Sequence, residues 1–322
     1  MNRVSPSTPM TNIVSVVPYD PTWPKYFADE AQRIKHVLGS NCIDIHHIGS
    51  TAVPGLSAKP IIDMLPVVND IVLVDNVSDA MQSLGYRVEG EYGMPLRRYF
   101  RKGSRVNTHH VHVFEKDSPE IERHLLFRDW LRLHAEDARA YATLKIALAE
   151  RFPMDISGYC LGKNEFVAAI ETKTGFNKPR IVCALTDGEW KAVRYFRDTY
   201  FFGPYGINDP YTWTFQHDEH VHFVLYQATN IIGYAHIQRW PANRVALRII
   251  VIDEPQRNKN SGSVLLQCIE AWLKTVGIKS IHVESRKSSL GFYLKNGYVN
   301  MPFGDPDGHE SHPDDIPVGK VL

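Results

Sequence analysis

The stretch Ile249-Ile250-Val251-Ile252-Asp253-Glu254-Pro255-Gln256-Arg257-Asn258-Lys259-Asn260-Ser261-Gly262-Ser263-Val264-Leu265-Leu266 decides the reading of the C-terminal half. It reads as a buried strand that runs into a polar, flexible turn, which opens directly into an amphipathic helix. Such a turn gathers several free backbone N–H groups and the positive end of a helix dipole at one point. That is a site for a phosphate group, and it needs no metal.

The neighbouring segments extend the pattern. Val221–Gln227, Ile231–Trp240 and Val245–Ile252 are successive strand candidates whose short polar connections suit antiparallel hairpins. A helix is expected from Gly262 to Val276, then a strand Ser280–Glu284, a short helix Ser289–Asn296 and a last strand. Further upstream, Thr172 to Pro179 is a Gly/Asn/Pro cluster between a helical pattern and the fresh strand Arg180–Leu185, which is the expected signature of a linker.

The composition fits two soluble domains. At 322 residues the chain is long for one, and its apolar share of 43% and charged share of 22% are ordinary for a globular protein. Lys plus Arg and Asp plus Glu number 36 each, so no global field favours nucleic acid or a membrane surface, and any anion site must be local. The four cysteines are scattered, which argues against a disulfide framework or a zinc knuckle. No apolar run approaches the ~20 residues of a membrane span. Residues 1–12 read as a loose Ser/Thr/Pro-rich tail, not a signal peptide, and a cytoplasmic location is the default expectation.

The spacing Arg257-x-x-Asn260-x-Gly262 resembles the pyrophosphate loop of the GNAT acetyltransferases, Arg/Gln-x-x-Gly-x-Gly/Ala. Downstream, Gly291-Phe292-Tyr293-Leu294-Lys295-Asn296-Gly297-Tyr298 resembles that family's F-Y-x-x-x-G-F/Y signature, and the order of elements agrees over nearly all of 180–322. The resemblance implies a mixed, mainly antiparallel sheet, acetyl-CoA as cofactor and an amine as acceptor. Arg257, Asn258, Lys259, Asn260, Ser261, Gly262 and Ser263 would then hold the pyrophosphate. Ile250, Val251 and Ile252 would offer backbone groups to the pantetheine arm, Phe292 would flank the cofactor, and Tyr293 would protonate the departing thiolate. Asn260 stands where the family has glycine, and Asn tolerates the left-handed conformation better than most residues. The plain alternative is that Phe292 and Tyr293 are core aromatics. The general base stays open among His217, Asp218, Glu219, His222 and His236, and the acceptor pocket is expected within Tyr205 to Glu219, with Trp213 and Phe215.

In the N-terminal half a helix is expected from Trp23 or Pro24 to Val37, strands at Ile43–Ile48 and Ile61–Val68, a helix near Val74–Leu84 and a sheet element containing His110–Phe114. Ile121 to Phe152 reads as strongly helical with Pro153 as a stop. Val17-Pro18-Tyr19-Asp20-Pro21-Thr22-Trp23-Pro24, the run from His47 to Leu65, and His110-Val111-His112-Val113-Phe114 closely resemble the GrpB-like family, whose members look like nucleotidyltransferases. That likeness implies a phosphate-holding turn at Gly49, Ser50 and Thr51 with Lys59 nearby. It also implies aspartates at alternate strand positions that share a divalent metal. Asp63 is in place, but Leu65 occupies the second position and histidines occupy the third strand. Asp63, His110 and His112 form either a 2-His-1-carboxylate metal cluster or a hydrogen-bonded polar cleft. Lys59, Arg97, Arg98, Arg101, Lys102 and Arg105 are candidates for an anion pocket, although the run Arg97 to Arg105 also reads as a solvated hairpin.

The expected architecture is α/β (α+β) in both halves: a tail over 1–12, a GrpB-like domain over 13–175, a linker over 176–180 and a GNAT domain over 181–322. The expected activity is acetyl-CoA-dependent N-acetylation of a primary amine, small-molecule or peptide, with no nucleic-acid or membrane partner and an oligomer open. The alternative places nucleotide binding or nucleotidyl transfer in the N-terminal domain; a third reading makes that domain a non-catalytic module.

Overall fold

The computed structural model describes residues 13–104, 106–308 and 312–322; the tail expected over 1–12 and Arg105 lie outside them. The chain divides into two compact units, one running to Asn177 without Gly93–Pro95, the other formed by Gly93–Pro95 and Lys178–Leu322. Among the described residues, no helix is long and apolar enough to cross a membrane.

The first unit runs α1 (Trp23–Leu38), β1 (Cys42–Ile48), β2 (Ile62–Val68), α2 (Ser78–Ser83), β3 (Tyr86–Gly90), β4 (Arg97–Lys102), β5 (His109–Glu115), α3 (Pro119–Leu133), α4 (Ala135–Arg151), α5 (Ile156–Leu161) and α6 (Asn164–Thr174). Its five strands lie in the order β1-β2-β5-β4-β3, parallel only between β2 and β5. The period-2 alternation of strands sorts the side chains. Ile62, Met64, Val111 and Val113 pack with Trp23, Ile34 and Leu38 of α1 in the core. Asp63, His110, His112 and Tyr99 therefore share the opposite face, and the register sets Asp63 beside His110 and Tyr99 beside His112.

Three sequence expectations are corrected here. The long helical pattern is two helices, broken at His134 (φ −118°, ψ 86°). The His134 ring stacks on Trp130 at 3.7 Å and its Nδ1 reaches the Trp130 carbonyl, while Glu136 and Asp137 start α4 afresh. The helix near Val74–Leu84 is split: a 3₁₀ helix over Val72–Val77 leads into α2, which is confined to six residues. Finally, Arg97 and Arg98 are not on a solvated hairpin but buried in β4. Arg97 donates to the carbonyls of Glu91 and Tyr92, and Arg98 grips Asp75 through two bonds of 2.6 and 2.8 Å.

The second unit contains β6 (Pro179–Cys183), α7 (Asp187–Arg197), β7 (His220–Gln227), β8 (Asn230–Trp240), β9 (Arg244–Ile252), α8 (Ser261–Thr275), β10 (Ser280–Ser285), α9 (Leu290–Lys295), β11 (Val299–Asn300) and β12 (Ile316–Val321). The sheet order is β11-β12-β10-β9-β8-β7-β6, antiparallel throughout except for the pair β9 and β10. Helices cover both faces: Val193 and Phe196 of α7 pack with Val224 and Tyr234, while Trp272 of α8 meets Phe223 edge-on at 4.9 Å. A reciprocal capping box between Thr186 and Glu189 starts α7. Ala242 and Asn243, both at positive φ, make the tight β8–β9 turn.

Candidate functional site

The parallel pair β9 and β10 holds together only across Arg244–Ala246 and Ser280–His282. Beyond that the strands diverge, and the outer half of β9 keeps β8 on one edge and, among the described residues, no strand on the other. A cavity of about 280 Å³ opens in the fork, with Ile250, Glu284 and Tyr293 among its lining residues. It shares Ile250, Ser289 and Tyr293 with a cleft of about 830 Å³ at the head of α8. On its other side it shares Arg248, Ile249, Glu284 and Arg286 with a cavity of about 340 Å³. The three cavities are therefore neighbours, with the fork in the middle.

At the head of α8, Asn258 (φ 62°) and Asn260 (φ 64°) take the left-handed conformation that turns the chain from β9 into the helix. Asn260 makes no side-chain cap, and no acidic residue occupies the first turn, an arrangement that can accept an anion. Gly262 packs closely on α9: a Cβ there would lie 3.1 Å from the Phe292 ring, which would have to give by a few tenths of an ångström. The Tyr200 hydroxyl anchors the start of the loop, donating to Asp253 at 2.6 Å and accepting from the Glu254 N–H. Ile250, Val251, Ile252, Arg257, Asn258, Asn260, Ser261, Gly262, Ser263, Phe292 and Tyr293 all line this cleft. Lys259 does not; it bonds Gln256 in solvent. Arg257 folds back, Nε donating to the Ile252 carbonyl at 3.0 Å with the guanidinium over the Tyr200 ring. Ser288, Ser289 and Lys295 also line the cleft and fall outside the sequence motif.

Tyr293 stands where the cleft meets the fork, and burial pushes its phenol up, not near its ordinary value as the sequence reading assumed. Glu284, missed from sequence, lines both the fork and the third cavity. Tyr211, Trp213 and Thr214 line that third cavity, but Phe215 turns into the core against Trp190 and His222. His222 is spent structurally: its ring bonds the Tyr234 hydroxyl at 2.8 Å and the Thr214 carbonyl at 3.3 Å. Burial and the Arg197 charge bring its pKa down to about 4. His236 and His220 pair at 2.8 Å on the cavity wall; burial holds His220 at about 4 and His236 well below its usual value, so both are neutral at pH 7. His217, Asp218 and Glu219 do not line the fork or the third cavity.

In the first unit, Asp63 Oδ1 lies 3.2 Å from His110 Nδ1 and 3.8 Å from His112 Nε2, and the three offer ligand atoms all within 4.8 Å of one another. Burial opposes ionisation of Asp63, but hydrogen bonds and charge from the two rings more than offset it and hold the carboxyl well below the usual range. A Cβ at Gly49 (φ 69°) would sit 2.5 Å from Asp63 Oδ2, so only glycine lets the turn close over the carboxylate. The donor set suits a transition metal. Arg97 Nη1, which can only donate, lies 3.3 Å from His112 Nδ1. In that arrangement the ring proton sits on Nε2, facing Asp63, so a cation there would have to displace either that proton or Arg97.

Beside this cluster is a cavity of about 290 Å³ lined by Gly49, Ser50, Thr51 and Lys59 together with Tyr141, Lys145, Tyr159 and Lys163. Of the arginine and lysine candidates among the described residues, Lys59 alone lines it; Arg101 pairs with Glu89, Lys102 with Glu30, and Arg98 with Asp75. Lys145 and Lys163 were missed because they sit on a long helix and in a later connection, far from Lys59 in the chain.

Residues 13–173 match the sequence profile of the GrpB protein family. The UPF0157 protein PA4798 of Pseudomonas aeruginosa is 42% identical over 182 residues, covering 55% of this chain and 74% of that protein. The chain belongs to the GrpB family. UPF0157 protein YqkA of Bacillus subtilis is 47% identical over 158 residues, 49% of this chain, and the match spans only 46% of YqkA's length. The solved GrpB structure from Enterococcus faecalis is 43% identical, covers 50% of this chain and 96% of its own, and superposes with a TM-score of 0.48. Residues 190–298 match the Acetyltransferase (GNAT) family, so the GrpB domain is followed by a GNAT domain. The forked strands and the head of α8 lie within that match.

Proposed function

We propose that the GNAT domain transfers an acetyl group from acetyl-CoA to a primary amine. The observation that carries this reading is the row of neighbouring cavities from the uncapped head of α8, past the fork of β9 and β10, to an aromatic and histidine-lined cavity. In this reading the pyrophosphate rests on the first-turn N–H groups of α8 and the loop 257–263. The pantetheine arm takes the place of a missing strand beside Ile250–Ile252, bonding backbone groups that β10 leaves free. Those same N–H groups polarise the thioester carbonyl as negative charge develops on its oxygen.

The amine enters from the side of Tyr211 and Trp213 and loses a proton to Glu284, the carboxylate at the junction of fork and acceptor cavity. Nitrogen attacks the carbonyl carbon, the C–S bond breaks, and Tyr293 delivers its phenolic proton to the sulfur. Burial raises the phenol, but the same water-poor surroundings raise the leaving thiol too, so donor and acceptor stay matched. Arg248 is the extra residue of a bulge where β9 passes β8, which aims its guanidinium at Gln238 and Asp305 on the acceptor side.

Calorimetric titration with acetyl-CoA, followed by thiol release in the presence of a panel of small amines and peptide N-termini, tests the reading. Micromolar binding and amine-dependent thiol release support it. Absence of acetyl-CoA binding refutes it.

A further inference from the structure

We propose that the GrpB domain binds the phosphoryl group of a small phosphorylated ligand, held between the ammonium groups of Lys59, Lys145 and Lys163 in the cavity beside Asp63. The three lysines come from separate segments: the connection before β2, the middle of α4, and the connection between α5 and α6. The fold nevertheless brings all three to one cavity of about 290 Å³. Among the described residues, no carboxylate forms an ion pair with any of them. Lys145 is 2% exposed; its ammonium donates to the Ser57 carbonyl and stands over the Tyr141 ring at 4.6 Å. Lys59 and Lys163 flank the Tyr159 ring at 5.1 and 4.7 Å.

Such an arrangement is costly without a ligand. Buried ammonium groups are ordinarily paired, and like charges that converge repel one another. The strain is visible at Lys145, whose pKa falls to about 7 through burial and then the charge of Lys163. Lys59 is likewise lowered, by burial first. Asp63 is the sole carboxylate among the lining residues, and the two histidines already hold it. With the lysines charged, the wall carries an excess of two positive charges, matching a phosphate dianion. A tetrahedral group also offers enough oxygens to meet three separate donors and the Ser50 hydroxyl, where a carboxylate has two. The cavity lies at the small end for ligand sites, which suits a metabolite-sized body behind the phosphate.

The test is calorimetric titration of the full chain with inorganic phosphate, pyrophosphate and a nucleoside monophosphate, with coenzyme A as an independent probe of the GNAT domain. Lys163→Gln and Lys145→Met are compared with wild type. The expected result is phosphate binding weakened at least about tenfold in each variant, with coenzyme A affinity unchanged. Tighter binding of the nucleotide than of inorganic phosphate would name a nucleotide as the source of the group; equal or weaker binding would name a non-nucleotide phosphate. Phosphate binding that both variants retain would place it elsewhere and overturn the proposal, as would no binding of any of the three probes at about 10 mM. Lys163 is half-exposed, so its variant keeps the test sound if Lys145→Met does not fold. The proposal stands or falls separately from acetyl transfer, because coenzyme A is measured on the same samples.

Discussion

Replacing Gly262 with aspartate would separate cofactor binding from folding. The new Cβ would approach the Phe292 ring at 3.1 Å, a contact that a shift of a few tenths of an ångström in the short helix α9 relieves. In the opposite direction, a carboxylate in the first turn of α8, which now holds no acid, interacts favourably with the helix dipole by about 0.3–1 kcal/mol. Net stability should therefore stay within about 1 kcal/mol of wild type. Cofactor binding should not survive. A carboxylate about 5 Å from a single phosphate charge costs roughly 3 kcal/mol at an effective dielectric of about 20, and the pyrophosphate carries more than one. A loss of at least about 10²-fold in acetyl-CoA affinity follows. The assay pairs calorimetric titration with a urea melt of the same sample. An unchanged melt with wild-type affinity would refute the assignment of the loop to the pyrophosphate; a collapsed melt would refute the packing argument.

Three more perturbations probe the GNAT domain. Tyr293→Phe should lower kcat by about 10²-fold while acetyl-CoA affinity holds, and unchanged turnover would remove the phenol from the acid role. Glu284→Gln should lower kcat/KM by a similar factor with acetyl-CoA affinity again intact; wild-type kcat/KM would put the base elsewhere. Acid should weaken this domain: His222 ionises near pH 4 when folded and near 6.5 when unfolded, so its contribution is complete above pH 6.5 and is lost as pH falls toward 4. Between pH 8 and pH 5 that amounts to roughly 2 kcal/mol, read as a urea midpoint that drops in wild type and drops less in His222→Gln.

Much of this was local and therefore written in the chain. Fold class and both families were legible because strand alternation, hairpin turns and a strand–turn–helix loop are set by residues a few positions apart. The motif from Arg257 to Ser263 and the pair Phe292–Tyr293 are of this kind, as is the alternation that puts His110 and His112 on one face. Local pattern misled where side chains act at a distance. The helical run around His134 hid a break that a stacked Trp130 stabilises, and the charges at Arg97 and Arg98 read as surface until Glu91, Tyr92 and Asp75 supplied their partners.

Tertiary structure alone decided what the cavities contain. Glu284 lines both the fork and the third cavity because β9 and β10 part after three residue pairs, and His222 leaves the list of bases because Tyr234 and Thr214 occupy its ring. Lys59, Lys145 and Lys163 are unremarkable in sequence and meet only once α4 and the α5–α6 connection pack onto the sheet. Periodicity tells a chain which face of each element is apolar. Which polar groups from different elements converge, and so what they bind, depends on how those faces stack.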